Sequence, residues 1–296
     1  MKPFQFLGII TSLITTSFIV TTPSFADTTP ALPSLDVHCA TVRDSVRYGY
    51  CIHQVKGSVS HDVLYYLHSG GSSEYEWQNT SEVDRVYAAW GTAAPTVITV
   101  SYGSFWLLAE QNASSRSGLL DHFLQRVIPY LEAKLSFKPE HRMLAGASMG
   151  GFNAAELYLK APKLFARVAL LCPAISTVSP YAPPREIDDY IARTHANPGS
   201  VHQALTLLAA YFPDEASWSN AAPVALAQQN VGPSFPPVFV SVGSEDQYGF
   251  FEGAQAMVEA IRANGGSAQF SLVSGGHCSF DADAAIAFMV QPFEGP

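Results

Sequence analysis

A serine, an acid and a histidine stand along this chain in an order that suits acyl transfer. Gly146, Ser148 and Gly150 form a G-x-S-x-G pentad inside "RMLAGASMGG". A serine hydroxyl is a poor nucleophile until a base takes its proton, and that base needs an acid to hold its tautomer. His277, in "FSLVSGGHCSF", is the one histidine of nine that follows the candidate acids. Those acids are Glu245 and Asp246 in "VFVSVGSEDQY". Asp246 is preferred, because the chain must leave its strand and turn before a carboxylate can face the base. The pentad alone is weak, since glycine and serine are ordinary turn residues. Its value depends on what surrounds it.

An attacked carbonyl also needs donors for its oxyanion. One is expected from the backbone N–H of Met149, the residue after the serine. The second is expected from "LHSGGSS", where Gly70 is preferred and Ser69 and Gly71 are alternatives. Aromatic residues gather in the flanking segments: Tyr102, Phe105 and Trp106, then Tyr248, Phe250 and Phe251, with Tyr211, Phe212 and Trp218 between. Trp106 and Tyr248 are the candidates for a substrate pocket. The competing role for any such aromatic is simple core packing.

These residues need elements to hold them. Val37–Val55 alternates as two strands would, and "VLYYL" and "TVITVS" read as buried strands at 63–67 and 96–101. Apolar residues at helical spacing, Leu119, Phe123, Val127, Leu131 and Leu135, predict one helix. "RMLAGA" reads as a strand and "MGGFNAAELYLK" as a helix stopped by Pro162. Ser148 thus falls on a strand-to-helix junction, where a nucleophile elbow requires it. Strands at "ARVALL", "VFVSV" and "AQFSLV" follow, with helices at "FFEGAQAMVEAIRA" and "DADAAIAFMV". Such alternation predicts an α/β fold, a mostly parallel sheet covered on both faces. Residues 175–237 break the rhythm. A structureless loop of that length is improbable, so a helical cap insertion is expected, with a helix from Ser200.

The chain has 296 residues, 48% of them hydrophobic, and a net charge of -9. That size fits one large domain, 37–296, with an insertion. The acidic balance argues against a nucleic-acid partner. At the N-terminus Lys2, an apolar run from Phe4 to Val20 and Ser24-Phe25-Ala26 read as a signal peptide over 1–26. Residues 27–36 read as a flexible leader. The protein is therefore expected to be exported, periplasmic or secreted, with no stable membrane span once the signal is removed. Export permits disulfides. Four cysteines allow three pairings. Cys39 and Cys51 flank a hairpin and are expected to pair, leaving Cys172 with Cys278.

At this point the pieces "YYLHSGG", "VSYGSFW", "RMLAGASMGGFNAAELYLKAP", "VFVSVGSEDQY" and "SGGHCSF" resemble a known group. They are similar to the α/β-hydrolase superfamily. Within it they resemble the esterase family of esterase D, siderophore esterases, feruloyl and acetylxylan esterases and mycolyltransferases. The resemblance covers most of residues 60–290 and implies Ser148 as nucleophile, Asp246 as acid and His277 as base. It implies carboxylic ester hydrolysis through an acyl-enzyme, with no metal or organic cofactor. An acyltransferase, a serine peptidase or a non-catalytic binding protein on the same fold are the alternatives. The substrate is expected to be a small-molecule, lipid or glycan ester. Two departures stand out: His68-Ser69 where many relatives have His-Gly, and the long 175–237 segment.

Overall fold

The computed structural model describes residues 34–79, 82–109 and 118–293. The signal peptide and most of the leader read from the sequence lie outside them. Eight strands form one sheet in the order 1-2-4-3-5-6-7-8. They are β1 (Leu35–Arg43), β2 (Arg47–Val55), β3 (Val63–Leu67), β4 (Thr96–Ser101), β5 (Arg142–Ala147), β6 (Arg167–Leu171), β7 (Val238–Gly243) and β8 (Ala268–Val273). β1 pairs antiparallel with β2, and β2 antiparallel with β4; every other pairing is parallel. β1 begins at Leu35, inside the segment expected to be leader, because Leu35 pairs with Val55. Cys39 and Cys51 face each other across this pair and are bonded.

The central strands β3 to β7 are buried almost throughout and mostly apolar because both faces are covered. On β3, Val63, Tyr65 and Leu67 point into one core and Leu64 and Tyr66 into the other, the period of two that a strand imposes. The second core lies under α1 (Glu76–Asn79), α2 (Val83–Trp90) and the final helix α11 (Ala282–Met289). The first lies under α3 (Leu119–His122), α4 (Ile128–Glu132), α5 (Met149–Lys160) and α10 (Phe250–Ala263). The helix predicted from Leu119 runs to Glu132, with a π segment at Phe123–Val127 just before Pro129, which brings no N–H to the ladder.

Between β6 and β7 lie four helices, α6 (Pro184–Thr194), α7 (Pro198–Tyr211), α8 (Glu215–Ser219) and α9 (Pro223–Asn230). They share the first core rather than forming a separate body: Leu205, Leu208, Phe212, Trp218 and Leu226 are buried in it with Phe152 of α5. Phe152, Phe212 and Trp218 meet ring to ring within this core.

Candidate active site

The small residues around Ser148 have a steric cause. A β-carbon on Gly146 would overlap the carbonyl of Gly150, and one on Gly150 would overlap the carbonyl of Leu67 on β3. A β-carbon on Gly151 would stand 2.8 Å from the Cα of Pro173. The chain can turn from β5 into α5 here only because those atoms are missing. Ser148 itself sits at φ 52°, ψ -113°, a backbone state that residues other than glycine rarely hold. Its own N–H donates to the Leu171 carbonyl at 2.9 Å, and its carbonyl accepts from Ala174 at 3.0 Å. These bonds hold the turn from the β6 side.

The side chain is thereby presented to the loop after β8. Ser148 Oγ lies 2.7 Å from His277 Nε2. His277 Nδ1 lies 2.7 Å from Asp246 Oδ2. The Asp246 side chain is fully buried and that of His277 is partly exposed. The other Asp246 oxygen accepts the Tyr248 N–H at 2.7 Å, which fixes the carboxylate. Glu245, the alternative acid, is exposed and faces Ser274. A buried carboxylate on Nδ1 leaves Nε2 free to accept the serine proton. The His277 N–H is held by Gln247 Oε1 at 3.1 Å, a contact the sequence did not suggest.

Of the three residues weighed for the second oxyanion donor, two have committed N–H groups. Ser69 donates to both Glu76 carboxylate oxygens at 3.0 Å, and Gly71 donates to Ser104 at 2.8 Å. Gly70 remains, and it lines the same cavity as Ser148, Met149 and His277. Met149 is the first residue of α5, where an N–H has no partner within the helix and the helix dipole favours negative charge. Glu76 also takes the Tyr66 hydroxyl at 2.8 Å and the Ser69 hydroxyl, so it fixes the strand end and the loop together. The serine of His68-Ser69 is thus a bonded structural residue. Nothing in sequence spacing marks Glu76 as its partner.

The cavity at Ser148 measures about 220 Å³. Phe105, Phe152, Tyr248 and Phe250 supply aromatic walls, and Ala204, Leu207 and Leu208 of α7 supply the aliphatic one. Tyr248 stacks on Phe250, and both rings meet His277 edge-on. Trp106, expected in the pocket, is not there. It is 1% exposed, and its Nε1 donates to His68 Nε2 at 2.9 Å. A tryptophan N–H can only donate, so His68 must accept, and its Nδ1 then donates to the Ser69 carbonyl at 2.8 Å. Burial lowers the His68 pKa and keeps that neutral form. Asn153, wholly buried on α5, binds the Leu108 N–H at 2.9 Å and the Trp106 carbonyl at 3.1 Å. It pins the loop after β4 to the elbow helix, a role its place in a helix did not announce.

A larger cavity of about 710 Å³ opens on the other face of the sheet, where Ala145, Ala147 and Ala169 leave side-chain space beneath α2 and α11. Neither Ser148 nor His277 lines it. Among the described residues, Asp62, Glu140 and His141 bring ligand atoms within 4.8 Å of one another. They sit where β3 and β5 begin, at the far end of those strands from Ser148, and His141 is bonded directly to Asp62 at 2.9 Å.

A family model described as "Putative esterase" matches residues 52–284. The chain belongs to this esterase family. It is a carboxylic ester hydrolase of the α/β-hydrolase fold. Among solved structures, this esterase is similar to a ferulic acid esterase at 17% identity and a TM-score of 0.62, over 88% of this chain and 96% of that one. S-formylglutathione hydrolase from Agrobacterium tumefaciens matches at 16% identity and a TM-score of 0.61, over 88% and 94%. An esterase from Rhizomucor miehei matches at 15% identity and a TM-score of 0.64, over 88% and 83%. At such identities the likeness establishes the fold. No curated protein matches the chain.

Proposed function

We propose that this esterase works through Ser148, His277 and Asp246. Ser148 attacks the ester carbonyl while His277 Nε2 takes its proton. Asp246 holds the imidazole and stabilises its positive form. The N–H groups of Gly70 and Met149 receive the oxyanion. It collapses as the ester C–O bond breaks and His277 returns the proton to the departing alcohol. Water, deprotonated in turn by His277, then releases the acid from Ser148. The observation that carries this reading is the unbroken chain of contacts, 2.7 Å from Ser148 to His277 and 2.7 Å from His277 to Asp246.

The pocket argues for a small acyl group. Cavities for drug-sized ligands run from roughly 300 to 1,000 Å³, and this one is about 220 Å³. Its aromatic walls suit a short aliphatic or a single-ring acid. We also propose that the protein is exported. Two disulfides fit an oxidising compartment, and the N-terminal segment has the pattern of a signal peptide. No helix among the described residues is long and apolar enough to cross a membrane.

The test is hydrolysis of p-nitrophenyl esters from acetyl to palmitoyl, with Ser148→Ala alongside. The expected result is turnover that peaks at short chains and a mutant slower in kcat by at least about 10⁴-fold. An active Ser148→Ala overturns the assignment of the nucleophile. A peak at long chains overturns the pocket argument.

A further inference from the structure

We infer that the Cys172–Cys278 disulfide is a positioning element for the catalytic base, so that the oxidised protein is the competent enzyme. This rests on the assignment of Ser148 and His277 made above. Cys278 directly follows His277. Cys172 directly follows β6, in the segment whose Leu171 carbonyl and Ala174 N–H bind the backbone of Ser148. The bond therefore joins the loop that carries the base to the segment that holds the nucleophile.

The loop has few other ties in that direction. Gly275 accepts from Glu245 at 2.8 Å, His277 donates to Gln247 at 3.1 Å, and Asp281 donates to Ser241 Oγ at 2.8 Å. All three run to β7 or to the acid's loop after it. They fix His277 against Asp246 but not against Ser148. Across the gap to the nucleophile, the structure places the catalytic contact itself and the disulfide.

The backbone supports the same reading. Cys172 has φ 41° and Cys278 φ 63°, so both bonded residues hold the left-handed conformation that non-glycine residues disfavour. Gly275, two residues before the histidine, has φ 132°, open only to glycine. A loop of this kind keeps one geometry only if something over-determines it. Cys172 is fully buried, yet both cysteines line the cavity of about 710 Å³ on the far face of the sheet. A small thiol can approach the bond by that route without entering the substrate pocket. Reduction by dithiothreitol would take two electrons and two protons, leaving two cysteine thiols and oxidised dithiothreitol.

A displaced base impairs proton transfer more than it impairs substrate binding, because the pocket walls come from other elements. The test compares kcat, KM and Tm for wild type, Cys172→Ser with Cys278→Ser, and Cys39→Ser with Cys51→Ser, with Ser148→Ala as the inactive control. The acylation rate of Ser148 by a fluorophosphonate is read in parallel. The expected result for the Cys172/Cys278 pair is a tenfold or greater fall in kcat and in acylation rate, with KM within about threefold. It should appear well below the Tm of the variant. The Cys39/Cys51 pair, remote from the site, should keep kcat. Unchanged kcat and acylation in the folded Cys172/Cys278 variant overturn the inference while leaving the triad standing. An active Ser148→Ala overturns the triad instead. If the double variant does not fold, wild type is titrated with dithiothreitol and followed by activity and circular dichroism. Activity lost before structure supports positioning, and activity lost only together with structure overturns it.

Discussion

Asp246 and Glu245 are neighbours in sequence and opposites in environment. Asp246 is 2% exposed, bonded to His277 and to the Tyr248 N–H, while Glu245 stands in solvent. Asp246→Asn keeps the shape but allows the amide to donate toward Nδ1, which favours the wrong imidazole tautomer. A fall in kcat of about 10⁴-fold is expected, with little change in Tm. Glu245→Gln should stay within about twofold in kcat. Steady-state kinetics on the pair checks both, and equal effects would show that the base is not oriented by Asp246. At this scale the sequence was informative where chemistry dictates residue type. A serine, an acid and a histidine at strand ends can be picked as candidates from their identities, and the fold brings Ser148, His277 and Asp246 into contact. The proposed second oxyanion donor could not be chosen the same way. That choice depends on which N–H groups are already taken, and Glu76 and Ser104 take those of Ser69 and Gly71. Trp106 was misread for a related reason: its partner is the buried His68, which only tertiary packing reveals.

At the scale of elements, the turn from β5 into α5 is the most constrained part of the fold. Gly150 packs its Cα against the β3 carbonyl of Leu67, backbone on backbone, so an added methyl has no side chain to push aside. Gly150→Ala is expected to lower stability by about 1–3 kcal/mol or more, the range for forced overpacking. Because the strained residue is Ser148, activity should fall further than stability alone explains. Urea unfolding and p-nitrophenyl acetate turnover on one preparation check this, and a fully stable, fully active Gly150→Ala would refute the steric account. The strands and the long helices were legible because period and length agree there. The segment from 175 to 237 was legible only in part. Pro184, Pro198 and Pro223 look like breaks in sequence, yet each is the first residue of a helix, where proline's missing N–H is no loss. The helices α1 and α2 were not read at all, since runs of four and eight residues carry little periodic signal.

For the whole molecule, buried histidines tie stability to acid. His53 lies on β2, is 0% exposed, and has no hydrogen-bond partner on either ring nitrogen. Burial pushes its pKa down to about 4. His68 and His122 are lowered by burial too, so the folded chain holds three neutral histidines that the unfolded chain would protonate near pH 6.5. Where the unfolded state binds more protons, stability rises with pH. The contribution of His53 is therefore complete above about pH 6.5 and is lost as pH falls toward about 4. The slope is at most about 1.4 kcal/mol per pH unit for one such group. Urea midpoints should fall between pH 7 and pH 5, and His53→Phe should flatten that fall. An unfolding midpoint is the readout, because it follows the packing around His53 on β2 rather than the site at Ser148. If His53→Phe leaves the slope unchanged, the acid response belongs to other groups, and His68, whose neutral form Trp106 requires, is the next to replace.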